Sequence, residues 1–85
     1  MIKKYRQIPV TLKAIQWNGG NLDEINELTD DRAHVYAGCL FINPPDGPEL
    51  IPNQMDYITK SGTENNPIIR VVSPEIFEKV YEEVE

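Results

Sequence analysis

The 85-residue sequence contains one cysteine, one histidine and no long run of apolar residues. A single cysteine, Cys39, excludes an intrachain disulfide, which suits a protein of a reducing compartment. A single histidine, His34, excludes metal sites built from two histidines. The apolar runs are too short for a signal peptide or a membrane span. We therefore expect one small domain over residues 1–85 in the cytoplasm, with His34 on the surface and Cys39 buried as a small apolar residue.

Basic residues are also scarce. The chain has 8 lysines and arginines and 14 acidic residues, which gives a net charge of −6. This balance argues against binding of nucleic acid, which requires cations to displace counterions from phosphates. Half of the bases lie in residues 1–13, whereas residues 75–85 carry five glutamates and one lysine. An acidic surface either keeps the molecules apart in solution or binds a basic surface on another protein.

The clearest structural pattern lies in residues 9–28. Residues 9–17 are mostly apolar with polar interruptions, which is typical of a half-buried strand, and paired glycines at 19 and 20 end it. Asn21 is expected to cap a helix through its side chain, with Glu24 three residues later. We predict this helix over residues 22–28, packed on the preceding strand by an apolar stripe. The stripe consists of Leu22, Ile25 and Leu28.

The apolar residues of this first strand change sides along its length. Leu12 and Ala14, with Val10, alternate onto one face, whereas Ile15 and Trp17 fall on the other. We interpret the change as a strand covered on both faces, with Trp17 closing one end of the core. A bulge near residues 14 and 15 is the alternative.

The remaining pattern predicts several short strands separated by turns. Residues 1–7 are polar and basic and are expected to form a lead-in, with the first strand beginning at residues 8 and 9. The strands expected after the helix are residues 33–36 and 39–42 as a hairpin, 49–51, 55–59 and 68–72. The loops expected between them are the proline-rich residues 43–48, which turn at 46 and 47, residues 52–54, and the polar residues 60–67.

The C-terminal residues begin with a helix-start pattern. Ser73 is the expected cap and Pro74 lies in the first turn. We expect Ile76 and Phe77 to pack one helical turn onto the core, followed by a last strand over residues 80–84. One continuous helix over residues 74–84 is the alternative. The predicted fold class is α+β: one main helix on a small, mostly antiparallel sheet or partial barrel, with a short C-terminal helical turn.

Catalytic and metal-binding constellations are missing from the sequence, so we predict no enzyme, no cofactor and no metal site. Asp56 is unusual because it lies within an apolar strand. It either accepts hydrogen bonds from backbone N–H groups of the preceding turn or makes a polar contact in a binding groove with Trp17 and Tyr57. These aromatic residues, like Phe77 and Tyr81, also suit the core of a small domain.

Three segments of the chain resemble a family of small proteins encoded in bacteriophages and prophages. Residues 9–25 are similar to the family's K-P-V-x-V-E-A-I-Q-W opening, residues 56–60 to its G-D-Y-I-I-K-G segment, and residues 74–84 to its P-D-I-F-E-K-T-Y-E-E-V ending. The chain departs from the family where Gln54 and Met55 replace a Pro-Gly pair. It also departs at residues 69–73, which replace F-Y-P-C-K, and at the additional loop 44–48.

The resemblance implies a phage accessory protein that acts in the host bacterial cytoplasm, and it supplies no activity or catalytic residues. We expect a protein that binds and inhibits a host factor with a basic surface, in an anti-CRISPR-like counter-defence role. The alternatives are an oligomeric sponge for a nucleotide immune signal, held by Trp17, Tyr57, Lys60 and Arg70, and a structural phage component. The binding candidates are Trp17, Asp56, Tyr57, Lys60, Arg70, Glu75, Glu78 and Glu82.

Overall fold

The computed structural model describes residues 2–7, 10–45, 47–63 and 65–83. These residues form an α+β fold, as predicted, with a main helix, a short C-terminal helix and antiparallel strands. The predicted turn at Asp46 and the strand start at Ile8 and Pro9 lie outside the described residues. In chain order the elements are β1 (Lys3–Gln7), β2 (Val10–Gln16), α1 (Leu22–Thr29), β3 (Ala33–Tyr36), β4 (Cys39–Ile42), β5 (Tyr57–Gly62), β6 (Pro67–Val72), α2 (Pro74–Val80) and β7 (Glu82–Glu83).

The larger sheet has the strand order β6-β5-β2-β1-β7, with every neighbouring pair antiparallel, and β3 and β4 form a separate two-stranded sheet. The predicted lead-in was wrong, because residues 3–7 form strand β1 between β2 and β7. Backbone pairing on both sides outweighs the polar composition of this segment. The pairing of β2 with β5 runs through Ala14 and Ile15 without a slip, so the strand has no bulge there.

The central strands of this sheet are covered on both faces, which confirms the interpretation of the side change in β2. One face, here called the α1 face, carries Ile15 and Ile58 under α1 and the β3–β4 hairpin. The opposite face, here called the α2 face, carries Leu12 and Ala14. Each face therefore has its own apolar cluster. The buried residues are Ile15, Trp17, Ile25, Leu28, Ala33, Leu40, Ile42, Ile58 and Ile69 on the α1 face, and Leu12, Ala14, Tyr57 and Phe77 on the α2 face.

Helix α1 packs through the predicted stripe, with Ile25 and Leu28 fully buried and Leu22 at its edge. Asn21 is the N-cap residue, as predicted, but its side chain makes no capping hydrogen bond and bonds backward along the chain instead. Its Oδ1 accepts a hydrogen bond from the Asn18 N–H at 3.0 Å, and its Nδ2 donates to the Gln16 carbonyl at 2.9 Å. Asn21 therefore ties the helix to the end of β2, and its carbonyl alone begins the helical bonding.

The β3–β4 hairpin has the predicted bounds, and its two-residue loop places Ala37 at φ 53° and Gly38 at φ 80°. Positive φ at both loop positions is the geometry whose twist matches the flanking strands. The bounds predicted for the strands 55–59 and 68–72 were wrong: β5 runs from Tyr57 to Gly62, and β6 begins at Pro67. Cross-strand pairing extends as far as Gly62 and Pro67. Lys60 and Ser61 therefore belong to β5, although their polar side chains are typical of a loop. Residues 49–51 form one bridge, between Leu50 and Ile42, and not a strand.

Helix α2 begins at the predicted cap, where the Ser73 hydroxyl oxygen accepts a hydrogen bond from the Ile76 N–H at 3.4 Å. Phe77 is buried as expected, but Ile76 is 58% exposed, so the prediction that it packs on the core was wrong. The continuous helix over residues 74–84 was also wrong. The helix ends at Val80, and Tyr81 has an extended backbone with φ −117°. The next residues form β7, which pairs with β1.

Candidate functional site

The two aromatic binding candidates lie in the two cores and not at a surface. Trp17 is 4% exposed within the cluster of the α1 face, and Tyr57 is 9% exposed within that of the α2 face. Tyr57 stacks on Phe77, with ring centroids 3.9 Å apart, and Phe77 stacks on Tyr81 at 4.7 Å. Both candidates are core residues, which excludes them as exposed anchors of a partner.

Asp56 serves the turn that precedes β5. Its Oδ2 accepts a hydrogen bond from the Asn53 N–H at 2.9 Å, and its own N–H donates to the Asn53 carbonyl at 3.1 Å. The first of the two interpretations of Asp56 is therefore confirmed, because the carboxylate satisfies the backbone of the preceding turn.

The two basic candidates lie on opposite faces of the sheet. Lys60 belongs to the α1 face, where its Nζ lies 3.0 Å from Asp30 Oδ2 at the C-terminal end of α1. Arg70 is the cross-strand partner of Thr59, which places it on the α2 face with Tyr57. From the sequence, one nucleotide was expected to contact Trp17, Tyr57, Lys60 and Arg70. Such a nucleotide would have to reach both sides of the same sheet. The structure does not bring this set together within one chain.

The acidic candidates of α2 lie beside an exposed apolar pair. Glu75 and Glu78 are exposed, and the side chains of Ile76 and Val80 are 58% and 39% exposed. We call these four residues the α2 outer surface. Glu78 also accepts a hydrogen bond from the Tyr57 hydroxyl at 3.3 Å, which ties this surface to the core. The remaining acidic candidate, Glu82, lies in β7, where its backbone pairs with Arg6.

Sequence reasoning missed the apolar half of this surface, because it assigned Ile76 to the core and Val80 to a strand. The available signal was their spacing of four residues, which puts two side chains on the same side of a helix.

A second exposed apolar pair, Ile51 and Met55, lies on the loop before β5, with 59% and 46% exposure. Backbone and side-chain hydrogen bonds brace this loop against the end of β2. The Met55 N–H donates to the Trp17 carbonyl at 2.6 Å, and Gln16 Nε2 donates to the Met55 carbonyl at 2.9 Å. Met55 has φ 78°, a left-handed conformation that disfavours side chains.

Replacing Met55 with glycine is expected to raise the free energy of unfolding by about 0.5–1 kcal/mol. Glycine removes a left-handed penalty of about 1–2 kcal/mol, and its greater freedom in the unfolded chain returns part of that gain. Urea denaturation followed by circular dichroism measures the change. Gln54→Gly is the matched control: its φ is not positive, and it loses the hydrogen bond from Gln54 Nε2 to the Asn18 carbonyl, so it should destabilise. An unchanged or lower stability of Met55→Gly would show that the backbone is not strained.

The lone cysteine and the lone histidine both lie on the outward side of the β3–β4 hairpin. Cys39 is exposed, so its predicted burial was wrong; it pairs with Tyr36 beside the loop, whereas the adjacent Leu40 points into the core. His34 is exposed and stacks on Phe41 with ring centroids 5.3 Å apart, which confirms the predicted surface position. Within the described ranges, no group of three or more His, Cys, Asp or Glu residues is arranged to hold a metal ion.

No family model, curated protein or solved structure matches the chain. The likeness to small phage proteins therefore stays a prediction. Among the described residues, no helix is long and apolar enough to cross a membrane.

Proposed function

We propose that this protein is a small, non-enzymatic binding protein that occupies and inhibits a host protein in the bacterial cytoplasm. The α2 outer surface makes the contact, and the partner offers an apolar groove with a basic rim. The counter-defence role is the one that the phage-family resemblance implies.

The observation that carries this proposal is the exposed apolar pair flanked by carboxylates on α2. Ile76 and Val80 are one helical turn apart, so they form a short exposed apolar ridge on the same short helix as Glu75 and Glu78. An apolar centre with a charged rim is the usual arrangement of a protein interface. Helices that bind in grooves use apolar residues at this spacing as anchors.

The attachment of α2 to the sheet supports a preformed contact surface. Phe77, on the inner side of the helix, is 1% exposed and stacks between Tyr57 and Tyr81. A helix held in this way loses little conformational freedom on binding, so less of the interaction energy is spent on ordering. The net charge of −6 would steer the protein towards a basic surface.

The polar candidates support binding over catalysis, because their described contacts are structural. Asp56 holds a turn, and Lys60 is paired with Asp30. Glu78 holds the Tyr57 hydroxyl.

Charge reversal at Glu75 is expected to weaken partner binding by about tenfold or more, because a like charge then faces the basic rim. The test captures partners from bacterial lysate on the immobilised protein at low and high salt, identifies them by mass spectrometry, and measures affinity with the purified partner. The wild type should capture a partner at low salt and release it at high salt. Ile76→Ser should weaken capture at low salt, because it removes an apolar anchor without changing the charge.

The matched control is Glu27→Lys, a charge reversal at an exposed position of α1. Each variant changes the net charge from −6 to −4, since one negative charge becomes positive. Glu27→Lys should therefore share any general electrostatic effect and leave the contact itself intact. Equal weakening by both variants, or no salt-sensitive partner at all, would refute the proposal.

A further inference from the structure

The two strands of the β3–β4 hairpin form a sheet of their own, so each strand has an outer edge that faces away from the other. The two-residue loop makes Tyr36 and Cys39 the closing pair, whose backbone groups bond to each other. Backbone bonding alternates along an antiparallel pair, so the N–H and C=O groups of the next pair, Val35 and Leu40, point outward. The outer edge of β3 therefore presents the backbone of Val35.

Two described contacts support this alternation, and both involve the cross-strand pair two positions further on. On the outer edge of β4, the Ile42 N–H donates to the Leu50 carbonyl at 2.9 Å. On the outer edge of β3, the Ala33 N–H donates to Asn26 Oδ1 at 2.9 Å. Helix α1 thus covers the beginning of the β3 edge through Asn26. Val35 lies two residues further along this edge, and its side chain is 42% exposed.

The outer edge of β3 lacks the charges that protect the edges of the larger sheet. Charged residues on an edge strand discourage pairing with another chain. The outermost strands of the larger sheet carry such residues, because β6 contains Arg70 and β7 consists of two glutamates. By contrast, β3 and β4 contain no lysine, arginine, aspartate or glutamate, in a chain of which 26% is charged. A second copy, which the net charge of −6 repels in general, meets no like charge on these strands.

We propose that β3 pairs antiparallel with β3 of a second copy of this chain, with Val35 at the centre. A strand that pairs antiparallel with its own copy obeys two-fold symmetry, so the same surface serves both copies. Val35 faces the partner's Val35, and His34 faces the partner's Tyr36. Cross-strand pairs of aromatic and β-branched residues stabilise a sheet. The result is one four-stranded sheet with the order β4-β3-β3-β4, which goes beyond the α2 contact proposed above and uses none of its residues.

Sedimentation equilibrium of the full chain between about 10 μM and 1 mM tests whether the dimer forms. A contact through one four-residue strand is smaller than the roughly 800 Å² per partner of a stable interface, so the dimer is weak and reversible. The wild type should fit a monomer–dimer equilibrium with a Kd below about 1 mM. In nitrogen-15 spectra, the amide signals of residues 33–36 should shift with protein concentration, whereas those of α2 should not.

A charge swap at residue 35 tests the two-fold pairing itself. Val35→Lys should weaken the dimer about tenfold, because it places two like charges opposite each other. Val35→Glu should do the same. An equimolar mixture of the two variants should associate severalfold more tightly than either alone, since a lysine and a glutamate then face each other. A merely structural role of residue 35 would not produce this recovery.

The matched control is Ile51→Lys, at an apolar residue that is 59% exposed and lies outside the hairpin. It changes the net charge from −6 to −5, as Val35→Lys does. Its dimer affinity should stay within about twofold of the wild type, because salt screens the general effect of one charge. A wild type that stays monomeric at about 1 mM, equal weakening by Ile51→Lys, or a mixture no tighter than its components would overturn the proposal. Capture of a host protein by α2 changes none of these results.

Discussion

Replacing Phe77 with alanine is expected to lower the free energy of unfolding by about 3–5 kcal/mol. Phe77 is 1% exposed and lies between the rings of Tyr57 and Tyr81. Truncation leaves a cavity that this small cluster cannot close, and it removes two stacked contacts worth about 0.5–1.5 kcal/mol each. Domains of this size lie at the low end of the usual 5–15 kcal/mol, so most of the folding stability would be lost.

Urea denaturation followed by circular dichroism measures this loss. The adjacent residue supplies a matched control, because Ile76 is 58% exposed and Ile76→Ala should change the stability by no more than about 0.5 kcal/mol. Phe77→Leu should fall between the two, since it keeps most of the buried volume. Similar costs for Phe77→Ala and Ile76→Ala would mean that α2 does not cover the sheet.

Replacing Trp17 with alanine is expected to cost about 3–5 kcal/mol, through the other core. Trp17 is 4% exposed in the cluster that joins β2 and β5 to α1. Its backbone also holds the loop before β5, through hydrogen bonds to Met55 and Asp56. Removing the side chain therefore empties the end of the core where this loop is attached.

Trp17 is the single tryptophan of the chain, so Trp17→Ala removes the tryptophan fluorescence signal. Circular dichroism is therefore again the suitable probe. Trp17→Phe is the conservative control and should recover more than half of the lost stability. The wild-type fluorescence offers an independent check, since a buried indole should resist quenching by iodide. Strong quenching, together with a cost below about 0.5 kcal/mol for Trp17→Ala, would make Trp17 a surface residue and restore it as a binding candidate.

The elements that could be predicted are those in which one short segment carries its own signal. Leu22, Ile25 and Leu28 recur at the helical period, and this stripe does form the buried side of α1. The side change between Ala14 and Ile15 indicated cover on both faces, and each residue lies in a different cluster. Ser73 followed by Pro74 marked the start of α2 with the correct residue as cap.

The elements that were missed depend on partners distant in sequence. Residues 3–7 have a polar composition, and they form a strand because β2 and β7 pair with them. The side chain of Asn21 leaves the helix it was expected to cap, because Gln16 and Asn18 offer competing backbone groups. No local pattern shows which of several satisfactory hydrogen bonds a side chain makes.

The candidate site shows the same division. The acidic residues of α2 were identified from charge alone, whereas the exposed ridge of Ile76 and Val80 became visible only once Phe77 was placed inward. The pairing of Lys13 with Lys60 was not predicted, because a register is set by the pairing of whole strands and not by a local pattern.

The central claim is that Tyr57 and Ile58, which are adjacent in β5, pack in two separate cores on opposite faces of the sheet. A nuclear Overhauser spectrum of the wild-type protein tests this claim most directly. The ring of Tyr57 should show cross-peaks to Phe77 and none to Ile25 or Leu28. The methyl groups of Ile58 should show cross-peaks to residues of the α1 face and none to Phe77. Cross-peaks from both residues to the same set of neighbours would contradict the two-sided sheet and, with it, the placement of α1 and α2 on opposite faces.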